Sequence, residues 1–476
     1  MPPTRENLDS VTDEVQTLLD SDPNVSPALR ALIILLLGFI AALSAHKGLS
    51  SRNSSKPPAA DPNRLKNTRK PSGRKPGGQP GHVGSTLELV DEPDVLCPLS
   101  IDRRTLPKGL SFTAADPERR QVFDIEVRRV VTEYQAEVLI DEHGNRYVAT
   151  FPEVASSRVQ YGATVKAHAV YLSQYQLLPY DRIKEYFGDQ FGLPLSAGSL
   201  VNFNRQVYNK LDPWEQAVRT YLLNETVLHA DETGINIGGI RVWLHVCSNA
   251  HFTYLMYHAK RGGDAMQAMD VLPNYNGVLC HDHWKAYYSE ATGAAHSLCN
   301  AHHQRELTWS FEEEKMAWAG LMYDFLKSLN IEVKKAGGVL SEARQEEVCQ
   351  AYRNILHDGE ADCPAPPESE RKPKQRGRLK RSKSRNLLER LQAFEDDVLR
   401  FMTRADIPYT NNQGERDLRM VKVQQKISGC FRSKRGAQMF CRIRGYVSTC
   451  RKQGISATDA IKMALAGELP SIGRAE

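Results

Sequence analysis

Two features that would classify a chain at once are missing here: a paired-cysteine motif and a hydrophobic run long enough to cross a bilayer. The nine cysteines show no even spacing and no CxxC pair. That excludes a ready disulfide framework and an obvious zinc ribbon, and makes a reducing compartment the default. The strongest apolar run, ALIILLLGFIAALSA from Ala31 to Ala45, is about fifteen residues, short of the roughly 18 to 20 that a membrane span needs. No basic segment opens the chain and no cleavage site follows the run, so neither a signal peptide nor a membrane role is expected. The run is expected to be a helix that is buried or faces a partner. Net charge is scarce as well. With 62 Lys+Arg against 57 Asp+Glu, the net of +5 selects no partner by itself.

The distribution of charge is more informative than its sum. Between Lys47 and Lys75 the basic residues are Lys47, Arg52, Lys56, Arg64, Lys66, Arg69, Lys70, Arg74 and Lys75, opposed only by Asp61. A second basic block runs from Arg371 to Arg385, and a third threads from Arg416 to Lys452. Separated basic stretches suit a long polyanion, because each neutralised phosphate releases condensed counterions. The plain alternative is a set of solvated linkers. Within the first block, GRKPGG would let Arg74 and Lys75 enter a minor groove, where width and potential are read more than base identity; a basic tether is the competing reading.

At 476 residues the chain exceeds the size at which one hydrophobic core stops growing, so several domains are expected. Residues 1–50 read as a helical segment: Leu8 to Leu19, a break at Asp22-Pro23, then a second helix opening at Ser26-Pro27. Residues 51–86 are rich in Pro, Gly, Ser and Lys/Arg and read as a basic flexible linker. From 87 to 156, alternating runs such as VFDIEVRRVVTEYQAEVLI and NRYVATF around Glu142-His143-Gly144-Asn145 predict a small β-hairpin domain. Residues 157–222 read as helical. Two helices inside Tyr180 to Leu211, the second capped near Ser196 or Ser199, would form a helix-turn-helix or simply pack on the next domain. Residues 223–466 give three β-rich runs, a helix, a strand, a helix, a strand and a helix. That element order predicts an α/β ribonuclease H-like core, carrying a helical and basic insertion at about 309–404, with a tail over 467–476.

The chemistry-bearing residues of this core are acids. Asp231 follows the apolar Val227-Leu228 on the first strand, and Asp282 follows Val278-Leu279-Cys280 on a later one. Carboxylates converging from neighbouring strands suit the hard ions Mg²⁺ and Mn²⁺. Glu415, opening NNQGERDLRMVKVQQKISGCFRS, would complete a site for two ions, which activate an attacking oxygen and stabilise a leaving one. Each acid has a structural alternative: Asp231 as a polar strand residue, Asp282 as a helix cap, and Glu415 as a capping-box partner or the i,i+4 mate of Arg419. Glu232, Asp264, Glu306 and Asp417 compete for the role. Cys280, His281, His283, His296, Cys299, His302 and His303 form a second cluster, in which Cys299 and His302 have C-x₂-H spacing. Zinc is nevertheless not expected there.

NSSKPP with GRKPGGQPGHVG, then ADETG, CHDHWKAYY, CNAHHQREL and the long block from Asn411 to Gly454 together resemble the insertion-sequence-66 transposase family. The resemblance spans most of the chain from Asn53 to Gly454. It implies a DDE-type catalytic domain with Asp231, Asp282 and Glu415 as the acids, and metal-dependent hydrolysis at transposon ends followed by attack of the freed 3′-hydroxyl on target DNA. It further implies double-stranded DNA as partner, a homo-oligomer in the synaptic complex, accessory proteins of the same element, and a place in the bacterial cytoplasm at the nucleoid. His302 and Arg305 are expected to face DNA, and Arg416, Arg419, Lys422, Lys426, Arg432, Lys434 and Arg435 to hold phosphate. Two departures stand out. Cys97-Pro98-Leu99-Ser100 keeps one cysteine where relatives carry a zinc-binding pair, and Ile140-Asp141-Glu142-His143 replaces the second pair. Thr410 stands where the family often has Asp. A nuclease that cuts without joining, and a DNA-binding protein whose chemistry is lost, are the competing functions.

Overall fold

The computed structural model describes residues 14–15, 17–19, 21, 25–47, 87–367, 369, 371 and 376–471, with the backbone alone for 41–47. Arg74, Lys75 and most of the first basic block therefore lie outside the described residues. The chain divides into two units, residues 65–133 and the remainder.

In the smaller unit the described residues form no strand or α-helix and include one short 3₁₀ helix at Arg103–Thr105 whose start is capped by Asp102. Gln121 clasps Val90, accepting from its N–H at 2.8 Å and donating to its carbonyl at 2.6 Å. Leu96, Leu99, Val122 and Ile125 are all exposed. The hairpin predicted across 87–156 is correspondingly narrow. Only Val138–Ile140 (β1) and Arg146–Val148 (β2) pair, within the larger unit, around a turn in which Asp141 accepts from the N–H groups of His143 and Asn145. Alternation makes a strand only where one face can be buried, and every residue of β1 and β2 is exposed.

The predicted second N-terminal helix is α1, Pro27–Lys47. Ser26 Oγ accepts from Leu29 N–H at 3.2 Å, and proline occupies the first turn, where no N–H is required. Leu29, Leu32, Leu35 and Phe39 are exposed, so none of the described residues buries that face of the helix. No helix among the described residues is long and apolar enough to cross a membrane.

Four helices precede the sheet: α2 (Ala163–Val170), α3 (Tyr180–Phe191), α4 (Ala197–Lys210) and α5 (Asp212–Leu223). Gly192 ends α3 at φ +59°, a conformation that suits glycine, and Ser196 caps α4 through Ser199 N–H. Ile183, Phe187, Leu200, Phe203 and Val207 from α3 and α4 join a core that also takes Met439, Tyr446 and Ile461 from the C-terminal helices. One face of this helical pair is thus committed to packing. Asn202, Arg205, Gln206 and Asn209 of α4 remain exposed.

The sheet has five strands: β3 (Val227–Ile237), β4 (Ile240–Ser248), β5 (Thr253–His258), β6 (Val278–His281) and β7 (Ala295–Leu298), in the order β5-β4-β3-β6-β7. β3, β4 and β5 are an antiparallel meander, while β6 and β7 join β3 in parallel. The parallel pairs need crossovers, supplied by α6 (Gly263–Met269) and α7 (Lys285–Glu290). The observed order is the one read from the sequence: three strands, helix, strand, helix, strand, helix.

After β7, α8 (Asn300–Glu313) leads into the insertion, formed by α9 (Ala317–Lys335), α10 (Glu342–Asp362), α11 (Lys383–Ala393) and α12 (Glu395–Leu399). Trp318, Leu326, Tyr352 and Leu388 are buried together in a core that also takes Val278 of β6 and Leu298 of β7. The chain returns through α13 (Asn412–Ser428), α14 (Lys434–Lys452) and α15 (Ala457–Ala466). Leu418 and Val421 of α13 and Phe440 of α14 pack with Ile235 and Leu244 of the sheet. Gly445 lets α14 approach β5 closely, since a Cβ there would stand 3.0 Å from the Thr253 carbonyl oxygen.

Candidate active site

Asp231 lies inside β3, Asp282 directly follows β6, and Glu415 is in the first turn of α13. Parallel pairing places His229 opposite Cys280, so both aspartates sit two residues beyond one rung of the ladder, on adjacent strands. Helix α13 lies against β3 at Gly414, where a Cβ would crowd Asn411 Oδ1 at 3.1 Å and touch Asp231 Cβ at 3.4 Å. The site is therefore the middle of one strand and the end of its neighbour, closed by a helix start.

Asn411 holds that helix in place. Its Oδ1 accepts from His229 Nδ1 at 2.7 Å, its Nδ2 donates to the Ala230 carbonyl at 2.8 Å, and its backbone N–H donates to Cys299 Sγ at 3.1 Å. The Asn411 side chain is thus spent on the strand before Asp231 rather than on capping α13. Glu415 does not act as a capping-box or i,i+4 residue either. Its Oε1 is buried without a hydrogen-bond partner, and no bond to Arg419 forms among the described residues. Asp282 partly fulfils its structural alternative, since Oδ1 accepts from Trp284 N–H at 3.0 Å ahead of α7.

The competing acids separate cleanly from these three. Glu232 is bound by Arg261 at 2.6 Å and by the Tyr287 hydroxyl, Asp417 by Lys452 at 2.8 Å, Asp264 by Lys260 and Glu306 by Arg390. Among the described residues Asp231 and Asp282 have no basic partner, and Glu415 has only His302, with Nδ1 3.9 Å from Oε1. Burial holds the Asp231 carboxyl well above the usual carboxylate range. Neighbouring Glu232 adds to this, as do Asp282 and Glu415, while the Glu232 N–H bond to Asp231 Oδ1 opposes it. Uncompensated carboxylates in one largely buried place are costly unless a cation is to join them.

The histidine and cysteine cluster mostly resolves into internal contacts. His281 Nε2 meets His296 Nδ1 at 2.9 Å, His303 Nδ1 donates to Asn300 Oδ1 at 3.0 Å, and His283 stands edge-on to Phe394. Burial pushes His281 down to about 3 and His283 down to about 4, so both are neutral at ordinary pH. Cys299 and His302 are different, because their ligand atoms lie within 4.8 Å of each other and of a Glu415 oxygen, the only such group among the described residues. Burial pushes the Cys299 thiol up to about 11. Cys97 is exposed and joins no such group among the described residues.

Of the residues expected to contact DNA, Arg416, Arg419, Lys422 and Lys426 are all exposed on α13, whereas Gly414, Leu418, Val421 and Gln424 form its buried side. Arg419, Lys422 and Lys426 follow Glu415 at i+4, i+7 and i+11, which continues one helix face away from the acid. Lys422 Nζ also donates to the Gly234 carbonyl at 2.7 Å. Arg432, Lys434 and Arg435 are exposed where α14 begins. Arg305 is half-buried along the groove between α8 and α9 with Tyr323 and Asp324. The second basic block is partly neutralised from within: Arg378, Arg381 and Arg385 all converge on Glu389. The later part of the third is likewise occupied, Arg442 with Glu215 at 2.9 Å and Lys452 with Asp417.

Residues 158–439, more than half of the chain, match the family model described as transposase IS66 family. The chain belongs to that family. A curated relative, the uncharacterized protein y4jO of Sinorhizobium fredii, is 39% identical over 70 residues, which is 15% of this chain and 22% of the relative. The chain thus spans about a fifth of the length of the curated relative it matches. The family match covers all three acids, Asn411 and the exposed basic face of α13. Three positioning elements were not anticipated from the sequence: the Asn411 clamp, the close approach at Gly414, and the Glu232–Arg261–Tyr287 group beside Asp231. Arg261 is held between Trp243 and Trp284, its guanidinium 4.9 and 4.2 Å from their ring centres. Only Asn411 carried a sequence signal, as part of the pair that opens α13.

Proposed function

We propose that this chain is a DNA transposase that cuts at the ends of its element and joins the freed ends to target DNA. Asp231, Asp282 and Glu415 would be the ligands of two divalent ions, Mg²⁺ or Mn²⁺. The observation that carries the proposal is the partition of the acids: every competitor is paired with a nearby cation, whereas among the described residues Asp231 and Asp282 have no basic partner and Glu415 has only His302. An antiparallel meander extended on one side by two parallel strands supports a ribonuclease H-like core, with acids on the first and fourth strands of the sheet and on a later helix.

The donor set fits hard divalent ions, since it is all carboxylate, and the three acids are near enough that Asp282 and Glu415 both raise the pKa of Asp231. Ions held there would activate the attacking oxygen and stabilise the departing one at phosphorus. The chain's own contribution is placement. Asn411 and Gly414 fix Glu415 against β3, and the Trp284 N–H orients one oxygen of Asp282 and leaves the other available. The exposed face of α13 would align DNA backbone with the acids. Replacing Arg416, Arg419, Lys422 or Lys426 with Gln is expected to weaken binding uniformly across DNA sequences. Each replacement should flatten the slope of log K against log salt by about 0.9 per lost phosphate contact, measured by fluorescence anisotropy across a salt series.

The deciding experiment incubates the full chain with Mg²⁺, labelled terminal sequences of its element and target DNA. Joined products support the proposal. Cuts without joining would make the chain a nuclease, and retarded but intact DNA would leave it a binding protein. Undiminished cleavage by Asp282→Ala would overturn the site assignment.

A further inference from the structure

Beside the acidic site, three ligand atoms of mixed chemistry face one another: the Cys299 thiol, His302 Nδ1 and a Glu415 carboxylate oxygen, all within 4.8 Å. Two of them are orphans, since His302 Nδ1 and Glu415 Oε1 are both buried and make no hydrogen bond. A buried polar atom without a partner is costly, and the cost is recovered when something fills the gap between such atoms. The third, Cys299 Sγ, already accepts the Asn411 N–H at 3.1 Å, the kind of bond that supports a metal-bound sulfur. The backbone adds rigidity, because Cys299 precedes α8 and is tied to β6 by its own N–H on the His281 carbonyl at 3.0 Å.

We propose that Cys299, His302 and Glu415 form a site for a thiophilic transition ion of the Zn²⁺ class, with one coordination position left open. Sulfur, imidazole and carboxylate are the donors such an ion takes, and hard Mg²⁺ does not favour thiolate. Zinc bonds of the usual lengths put tetrahedral ligand atoms about 3.4 to 3.7 Å apart. The 3.9 Å between His302 Nδ1 and Glu415 Oε1 therefore needs only a small contraction. On binding, the thiol proton leaves to solvent and the sulfur bonds as thiolate. Glu415 is the ligand shared with the acidic site. Resting on its proposed role there, the soft ion would withdraw Glu415 from the Asp231–Asp282 pair and hold the centre in a resting state.

Co²⁺ serves as the probe, because its thiolate charge-transfer band and intense tetrahedral bands report the ligands directly. The full chain, stripped with a chelator and titrated with Co²⁺, is expected to show one thiolate-bound ion that Zn²⁺ displaces. Cys299→Ser should remove the thiolate band, and His302→Gln should weaken Co²⁺ binding by about tenfold or more. Asp231→Asn should leave the band in place. No thiolate band, or a band that persists in a folded Cys299→Ser chain, overturns the proposal. If Cys299→Ser fails to fold by circular dichroism, unchanged Co²⁺ affinity in His302→Gln overturns it instead. Failure of the transposase reading is distinct: cleavage would survive Asp282→Ala while the cobalt spectrum stayed as expected.

Discussion

Asp231→Asn is expected to lower end cleavage by about a thousandfold or more, equivalent to about 4 kcal/mol of transition-state stabilisation, and yet to raise the melting temperature of the metal-free chain. Both effects have one source. Asp231 is largely buried beside Glu232, Asp282 and Glu415 with no basic partner, and its carboxyl is held well above the usual range. A carboxylate whose folded pKa is raised binds its proton more tightly in the folded state. The stability it allows is therefore fully present below the ordinary value near 3.8 and is lost as pH rises through the folded value. The difference in melting temperature between the variant and the parent should thus be small in mild acid and grow toward neutral and basic pH. Taking the difference matters, because neutral buried histidines such as His281 and His283 impose the opposite trend on both chains. Adding Mg²⁺ should raise the melting point of the parent and barely move that of the variant. A variant that melts no higher than the parent at any pH, measured by calorimetry without metal, would refute the idea of a site strained for cation binding.

Asp417→Ala is expected to carry the largest stability loss, about 3–5 kcal/mol, although Asp417 sits only two residues from a proposed catalytic acid. Its partner Lys452 is buried deep against the end of the sheet, donating to the Asn249 carbonyl at 2.8 Å, to the Phe252 carbonyl at 3.1 Å and to Thr253 Oγ1 at 2.6 Å. Asp417 is its only counter-charge among the described residues, at 2.8 Å. Removing the acid leaves a buried ammonium held only by neutral oxygens, where burial already disfavours its charge. Removing both partners should cost far less, so Asp417→Ala with Lys452→Met is expected to recover much of the loss. Urea unfolding of the three variants checks this. A loss below about 1 kcal/mol for Asp417→Ala would mean that Lys452 escapes to water.

These two acids show what can be read from a sequence and what cannot. Asp231 follows an apolar run and Asp417 stands between Arg416 and Leu418-Arg419, yet nothing in these immediate neighbours says that one is left bare and the other paired. β6 was legible as a short run that the sheet buries throughout, β3 from the apolar Val227-Leu228 that opens it, and the helix start at Asn411-Asn412 from its polar turn. Register was not legible. It takes the pairing of His229 with Cys280 to set Asp231 beside Asp282, and the close approach at Gly414 to set Glu415 against β3. The small hairpin was over-read for a related reason: alternation in VFDIEVRRVVTEYQAEVLI is a request for a partner surface, and around β1 and β2 there is none.

The way the insertion is tied off bears on its history. Asn300 N–H donates to the Tyr409 carbonyl at 3.1 Å, and the next contact joins Asn411 to Cys299 at the same distance. The excursion from residue 301 to residue 408 leaves and re-enters the core at a single point. Closing a longer loop costs only a logarithm of its length, and this one packs back on the sheet in a buried core that includes Val278 and Leu298. Such a bracket separates the length of the enclosed segment from the position of Glu415. The sequence distance from Asp282 to Glu415 is therefore no measure of how far apart the two acids stand in the fold.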